Sequence, residues 1–325
     1  MNEFLQIIKK SLPVKHNITL RSEPDCYGAS RIISDNLHLP FKPTSYANWY
    51  HGWLSWDPEY VETFGLKSPV KHLVHTLKHE DFLTRRGVRA RAIGSPFIYA
   101  SQLSSIDILR RPNSLLVMPP HSALTSEEDW NEELYIKQIL DLKDNFSEVI
   151  ACISPSCVKK NIWSKTLKKY NIPFLIGADM HDKNALIRMA NIFKHFEYVT
   201  TNRIGGHVVY AAYSGCKVSI YGDYLDLTEG EFNGDELYIQ HPHLIENVIK
   251  ALSFESIKNR FPFLICDPKH ATCQKEWADN QLGECNKKSS LELSILLCWW
   301  PHQQIYYLAL RFLAKLKRQL GPSKN

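Results

Sequence analysis

Tyr198-Val199-Thr200-Thr201-Asn202-Arg203-Ile204-Gly205-Gly206-His207-Val208-Val209-Tyr210-Ala211-Ala212-Tyr213-Ser214-Gly215-Cys216-Lys217-Val218-Ser219-Ile220-Tyr221 carries the fold of this chain in one stretch. The run Tyr198–Thr200 predicts a strand, Gly206 to Ser214 a helix, and Lys217–Tyr221 the next strand. Strand, glycine turn, helix and strand make the repeating unit of a parallel α/β sheet. In such a sheet the turn after the strand lies at the C-terminal edge, where ligands bind.

The same alternation continues upstream. Asn184 to His195 predicts a helix, Pro173–Ile176 a strand, Ile162 to Tyr170 a basic amphipathic helix, and Glu148–Ile153 a strand. Glu128 to Leu142 has helical spacing, and Ser114–Met118 is an apolar strand stopped by Pro119-Pro120. Together they describe a doubly wound α/β domain. The first half is less regular. His16–Leu20 reads as a strand, then comes a glycine turn at Tyr27-Gly28, a helical stretch from Arg31 to Leu37, a helix over Val70–Leu83 and a strand over Arg89–Ile93. The expected division is 1–112, 113–286 and a tail over 287–325.

Composition restricts the function classes. The 325 residues are 44% hydrophobic and 22% charged, ordinary values for globular domains. The net charge of +5 lies in the tail, because Arg311, Lys315, Lys317, Arg318 and Lys324 follow Glu292 with no acidic residue among them. A neutral body with a basic end does not fit a nucleic-acid binder. The eight cysteines form no CxxC pair, and Met1 to Lys10 has no apolar signal region, so reduced thiols in a cytoplasmic protein are expected. Cys266, His270, Cys273 and Cys285 match no usual zinc spacing. In the tail, Ile305, Leu308, Phe312 and Leu316 form one stripe and Gln304, Tyr307, Arg311, Lys315 and Arg318 the opposite one. Two readings stay open: a peripheral anchor on the inner face of a membrane, or a helix packed back on the body with its charges in water.

The candidate site residues gather at predicted strand ends. Thr201, Asn202, Gly205, Gly206 and His207, with Tyr210 one turn on, suit an anion, since the helix start offers free N–H groups and the glycines allow close approach. The plain alternative is a tight turn. His121 and Ser122 follow the prolyl stop at the same edge, where Ser122 or Thr125 with Glu128 could also cap a helix. Ser154 and Asp179 end the next two strands. In the first half, Trp49, Tyr50 and Trp53 surround His51-Gly52 and suit stacking on sugar rings, while His51 suits a general base, with Asp57 and Glu59 as alternatives. The competing reading for His51 is a satisfied core histidine.

Trp49-Tyr50-His51-Gly52, Gly94-Ser95-Pro96 with Tyr99, Pro120-His121-Ser122 and Asn202 to His207 together resemble bacterial glycosyltransferases of capsule and O-antigen clusters, over about residues 15–225. The His-Gly pair is also similar to one in teichoic-acid polymerases, although their paired serines are missing after Thr200. The resemblance implies the GT-B fold, two Rossmann-like domains facing a cleft. It implies sugar transfer from a nucleotide-sugar donor on the second domain to a surface-glycan or lipid-linked acceptor on the first. His51 would act as base in an inverting reaction with no metal or other cofactor. Polyol-phosphate transfer, epimerisation and non-catalytic nucleotide-sugar binding are the alternatives.

Overall fold

A computed structural model describes residues 3–54, 70–104, 107–122, 130–234 and 236–319. The chain opens with α1 (Glu3–Ser11), a 3₁₀ segment at Glu23–Gly28 and α2 (Ala29–Asn36). Next come β1 (Ala47–Trp49), β2 (Lys71–Val74), α3 (Leu77–Arg85), β3 (Ala90–Ala92) and α4 (Pro96–Gln102). The alternation continues through β4 (Arg111–Val117), α5 (Glu132–Asp141), β5 (Glu148–Ile153), α6 (Pro155–Lys160), α7 (Ser164–Lys169) and β6 (Phe174–Ile176). It ends with α8 (Ala185–His195), β7 (Phe196–Thr201), α9 (Gly206–Tyr213) and β8 (Lys217–Ile220). Helices α10 (Glu236–Gln240), α11 (His243–Leu252), α12 (Phe254–Arg260), α13 (Lys275–Leu282), α14 (Ser290–Leu296) and α15 (Pro301–Gln319) complete the described chain.

Two parallel sheets result. The smaller runs β1-β2-β3 and the larger β6-β5-β4-β7-β8. The larger order reverses direction between β4 and β7, and in parallel sheets of this kind ligands commonly bind at the C-terminal edge beside such a reversal. The C-terminal halves of the larger sheet's central strands are buried on both faces, because helices cover both sides. Leu116, Ile150 and Cys152 enter one core cluster, while their neighbours Leu115, Val117, Ala151 and Ile153 enter another on the opposite face.

The two sheets are not separated by solvent along their whole length. One core cluster holds Trp49, Leu73 and Ile93 of the smaller sheet together with Leu116, Val199 and Val218 of the larger. Phe97 on α4 stacks on Tyr210 of α9 with ring centroids 4.1 Å apart and planes 8° apart. The C-terminal end of α13 and the residues after it return to the smaller sheet. Ser95 N donates to Leu282 O at 2.8 Å, Lys288 N to the Tyr99 hydroxyl at 2.8 Å, and Trp299 Nε1 to Ser45 Oγ at 3.0 Å. At the other end, α1 packs on the larger lobe, where Phe4 meets Phe196 edge-on and Asn191 donates to Ser11 O at 2.8 Å.

Several sequence expectations change. His16–Leu20 is not a strand but a single bridge between Asn17 and Asp182, flanked by Ile18 N to His181 O and Lys183 N to His16 O. Val70–Leu83 is not one helix. Lys71–Val74 forms the central strand of the smaller sheet, and the helix starts only at Leu77, capped by Thr76. The apolar stripe there matches a helical period by coincidence, because His72, Leu73 and Val74 are buried on both strand faces. Asp57, Glu59, Thr125 and Glu128 lie outside the described residues.

Candidate functional site

The site begins at the C-terminal edge of the larger sheet, where the strand order reverses. β4 ends at Val117 and leads through Met118-Pro119-Pro120 to His121 and Ser122; β7 ends at Thr201 and leads through Asn202 to α9. Helix α9 starts from Gly205 with no side-chain cap, so its first N–H groups lack the usual hydroxyl or carboxylate acceptor. The helix dipole adds positive potential at the same point.

The loop before α9 is held rigidly. Arg203, buried, donates to Glu231 through Nη1 at 2.6 Å and Nη2 at 3.0 Å, to Asp226 O at 2.9 Å and to Leu225 O, and its guanidinium lies 5.2 Å from the Trp130 ring. Thr201 is fully buried and spends its hydroxyl on the Arg203 backbone. Asn202 donates Nδ2 to Asp223 O at 2.9 Å, but its buried Oδ1 has no partner. His207 is half-buried with its Nε2 covered and likewise unpartnered. Burial, and then the nearby His121, push the His207 pKa down to about 3, so its ring is neutral at pH 7. Among the described residues the buried Oδ1 of Asn202 lacks a hydrogen-bond donor and the covered Nε2 of His207 lacks a partner, and buried polar atoms left so are costly.

The smaller lobe faces this point with the segment 49–53. Tyr210 of α9 donates its hydroxyl to the His51 carbonyl oxygen at 2.6 Å. A Cβ on Gly206 would sit 3.4 Å from Trp53 N, so the two lobes touch here. His51 itself is about one-third exposed, and its Nδ1 donates to Glu23 Oε1 at 2.9 Å. The second carboxylate oxygen of Glu23 accepts from Trp49 N at 2.6 Å, which fixes the acid relative to the strand end. With Nδ1 donating, Nε2 is the basic nitrogen of the neutral ring. Tyr27 lies against the same imidazole, ring centroids 5.0 Å apart, and burial raises its phenol pKa.

The remaining candidates divide. His121 is exposed and neighbours His207. Ser122 is buried, accepting from Lys160 Nζ at 2.6 Å and, at its carbonyl, from Ser156 Oγ at 2.5 Å. Ser154 caps α6. Asp179 accepts from Lys15 at 2.6 Å and from His181 N at 3.0 Å; burial raises its pKa, but these bonds outweigh it and hold it low. Tyr50 is half-buried and its hydroxyl pairs with His72. Trp53 packs on Phe261 and Trp277. Trp49 cannot offer a face to a sugar: it is wholly enclosed in the core and its indole N–H donates to Gly94 O at 3.0 Å. Sequence reading missed Glu23, Tyr27, Arg203 and Lys160. Only Arg203, inside the decisive loop, carried a local signal.

Among the described residues no group of three or more His, Cys, Asp or Glu side chains is arranged to hold a metal ion. A cavity of about 1020 Å³ lies at the opposite edge of the larger sheet, lined by Lys143, Phe146, Glu148, Lys168, Asn171 and Phe174 among others, far from these groups in the strand direction. No known family model matches the chain, and no curated protein matches it.

Proposed function

We propose that the protein is a glycosyltransferase of GT-B type that takes a nucleotide-sugar donor at the start of α9 and activates a glycan hydroxyl with His51. The observation that carries this reading is the position of the Glu23–His51 pair, tied by Tyr210 to the helix whose uncapped start lies at the reversal of strand order. The donor phosphates would receive the first N–H groups of α9 and sit beside Asn202 and His207. His51 Nε2 would take the proton from the acceptor hydroxyl as its oxygen attacks the anomeric carbon. The bond from that carbon to the phosphate oxygen breaks, and the helix start stabilises the charge on the departing nucleotide. Glu23 keeps the ring in the productive tautomer and steadies the imidazolium that forms.

A thermal-shift panel of nucleoside diphosphates and their sugar conjugates tests the first half, because a ligand of the folded state raises Tm by mass action. One nucleotide is expected to stabilise the protein, and its sugar conjugate to be hydrolysed slowly without acceptor. His51→Ala should then lower turnover by about two orders of magnitude with donor binding retained. An unchanged rate removes His51 from the chemistry. A product that keeps a phosphate on the acceptor would replace sugar transfer with polyol-phosphate transfer.

A further inference from the structure

Helix α15 is amphipathic in the reverse sense from a helix packed on its own body. It meets the body through a polar and aromatic stripe at spacing 3 and 4. Gln304 Nε2 donates to Thr44 O at 2.9 Å, Tyr307 stacks on Tyr46 with centroids 4.5 Å apart, and Arg311 lies 5.9 Å from the Tyr46 ring. The apolar residues face away: Ile305 is 67% exposed, Leu308 57% and Phe312 62%, with Leu313 and Leu316 also open. A helix that belongs to a soluble core does the opposite. Trp300, at the start of the helix, is exposed as well.

We infer that α15 is a docking surface for an anionic phospholipid bilayer, lying flat on it. Two observations select that occupant. The apolar side chains form an outward face from Ile305 to Leu316, about 18 Å at the helical rise, which is the form of an interfacial helix. The sequence from Pro301 onward carries five basic residues and no acidic one, so the segment that bears this face is positively charged, and Lys315 beside Leu316 is exposed. Lys and Arg stems reach from an apolar face to phosphate headgroups. A second copy docked on the same face would bring basic helix to basic helix with no carboxylate between them. Among the described residues no helix is long and apolar enough to cross a membrane, so contact stays at the interface. This inference does not depend on the proposed activity.

Sedimentation of the full chain with phosphatidylcholine vesicles, with and without phosphatidylglycerol, tests it. Binding is expected to the phosphatidylglycerol vesicles and to weaken as salt is raised. The triple variant Ile305→Ser, Leu308→Ser, Phe312→Ser should bind at least about tenfold more weakly at an unchanged Tm, since those side chains already face water. Lys315→Gln with Lys317→Gln and Arg318→Gln should remove the preference for the anionic lipid. No binding by the wild type, or equal binding by the triple variant, would overturn the inference. Concentration-dependent self-association lost in the triple variant, without vesicle binding, would assign the face to a second copy instead.

Discussion

His51 is held at two atoms by two lobes: its ring nitrogen by Glu23 and its carbonyl by Tyr210. That double hold separates two roles by mutation. Glu23→Gln keeps a hydrogen-bond acceptor but loses the charge that steadies an imidazolium. If the pair is a base with its orienting acid, turnover should fall by about one to two orders of magnitude, less than for His51→Ala, with donor Kd little changed. Equal rates for wild type and Glu23→Gln would reduce the carboxylate to a structural tie. Two residues on, Asp25 supports the same segment from inside. Burial pushes its carboxyl pKa up, but Lys42 Nζ at 2.7 Å, Ser30 Oγ and Arg21 N bring it below the usual value. Lys42→Met leaves that buried carboxylate without its cation, held by Ser30 and Arg21 N, and should lower stability by about 3–5 kcal/mol in urea unfolding. A loss under about 1 kcal/mol would show that the pair contributes little to the fold.

Among the elements, the larger sheet was legible and the smaller one was not, for a physical reason. Strands such as Glu148–Ile153 are long, apolar on both faces and bounded by polar or prolyl turns, so their period cannot be confused with a surface helix. The strands of the smaller sheet have only three or four residues, and at Val70–Leu77 the apolar residues imitate a helical stripe although Leu77 is exposed and begins a different element. The candidate site shows the same limit. Residues 202–207 were legible because a sheet edge follows from local order. The Glu23–His51 bond joins positions 28 apart and required the fold. Trp49 looked like a sugar platform because nothing local announces that Gly94 O receives its indole N–H.

Another long-range contact decides how the 3₁₀ segment bearing Glu23 is seated. Gly28 has φ 77°, and a Cβ there would fall 1.9 Å from Lys183 O. Both the left-handed backbone and the clash oppose any side chain. Gly28→Ala should destabilise the protein by roughly 2 kcal/mol or more and loosen the Glu23 segment, read as a lower Tm. An unchanged Tm would mean the segment yields without cost.

At the scale of the molecule, the shared core argues that the lobes open little, since parting them would separate Phe97 from Tyr210 and the 282–299 return from the smaller sheet. The buried histidines give this packing a pH dependence. Burial lowers His75 and His195 to about 4 and His79 and His207 to about 3, from 6.5. Between these values and 6.5 the unfolded chain binds more protons than the folded one, so stability is lost as pH falls through that window. Tm should therefore drop progressively from pH 7 to pH 4.5, above the range where most carboxylates titrate. A flat Tm over that interval would contradict neutral burial of these rings.

Crystals soaked with the nucleoside diphosphate that most stabilises the protein would test the proposed site most directly. The diphosphate should lie on the Gly206 and His207 N–H groups, with Asn202 beside it and the open nitrogen of His51 facing the terminal phosphate. Nucleotide density in the cavity at the far edge of the sheet, near Lys143 and Lys168, with the α9 start left bare, would contradict it.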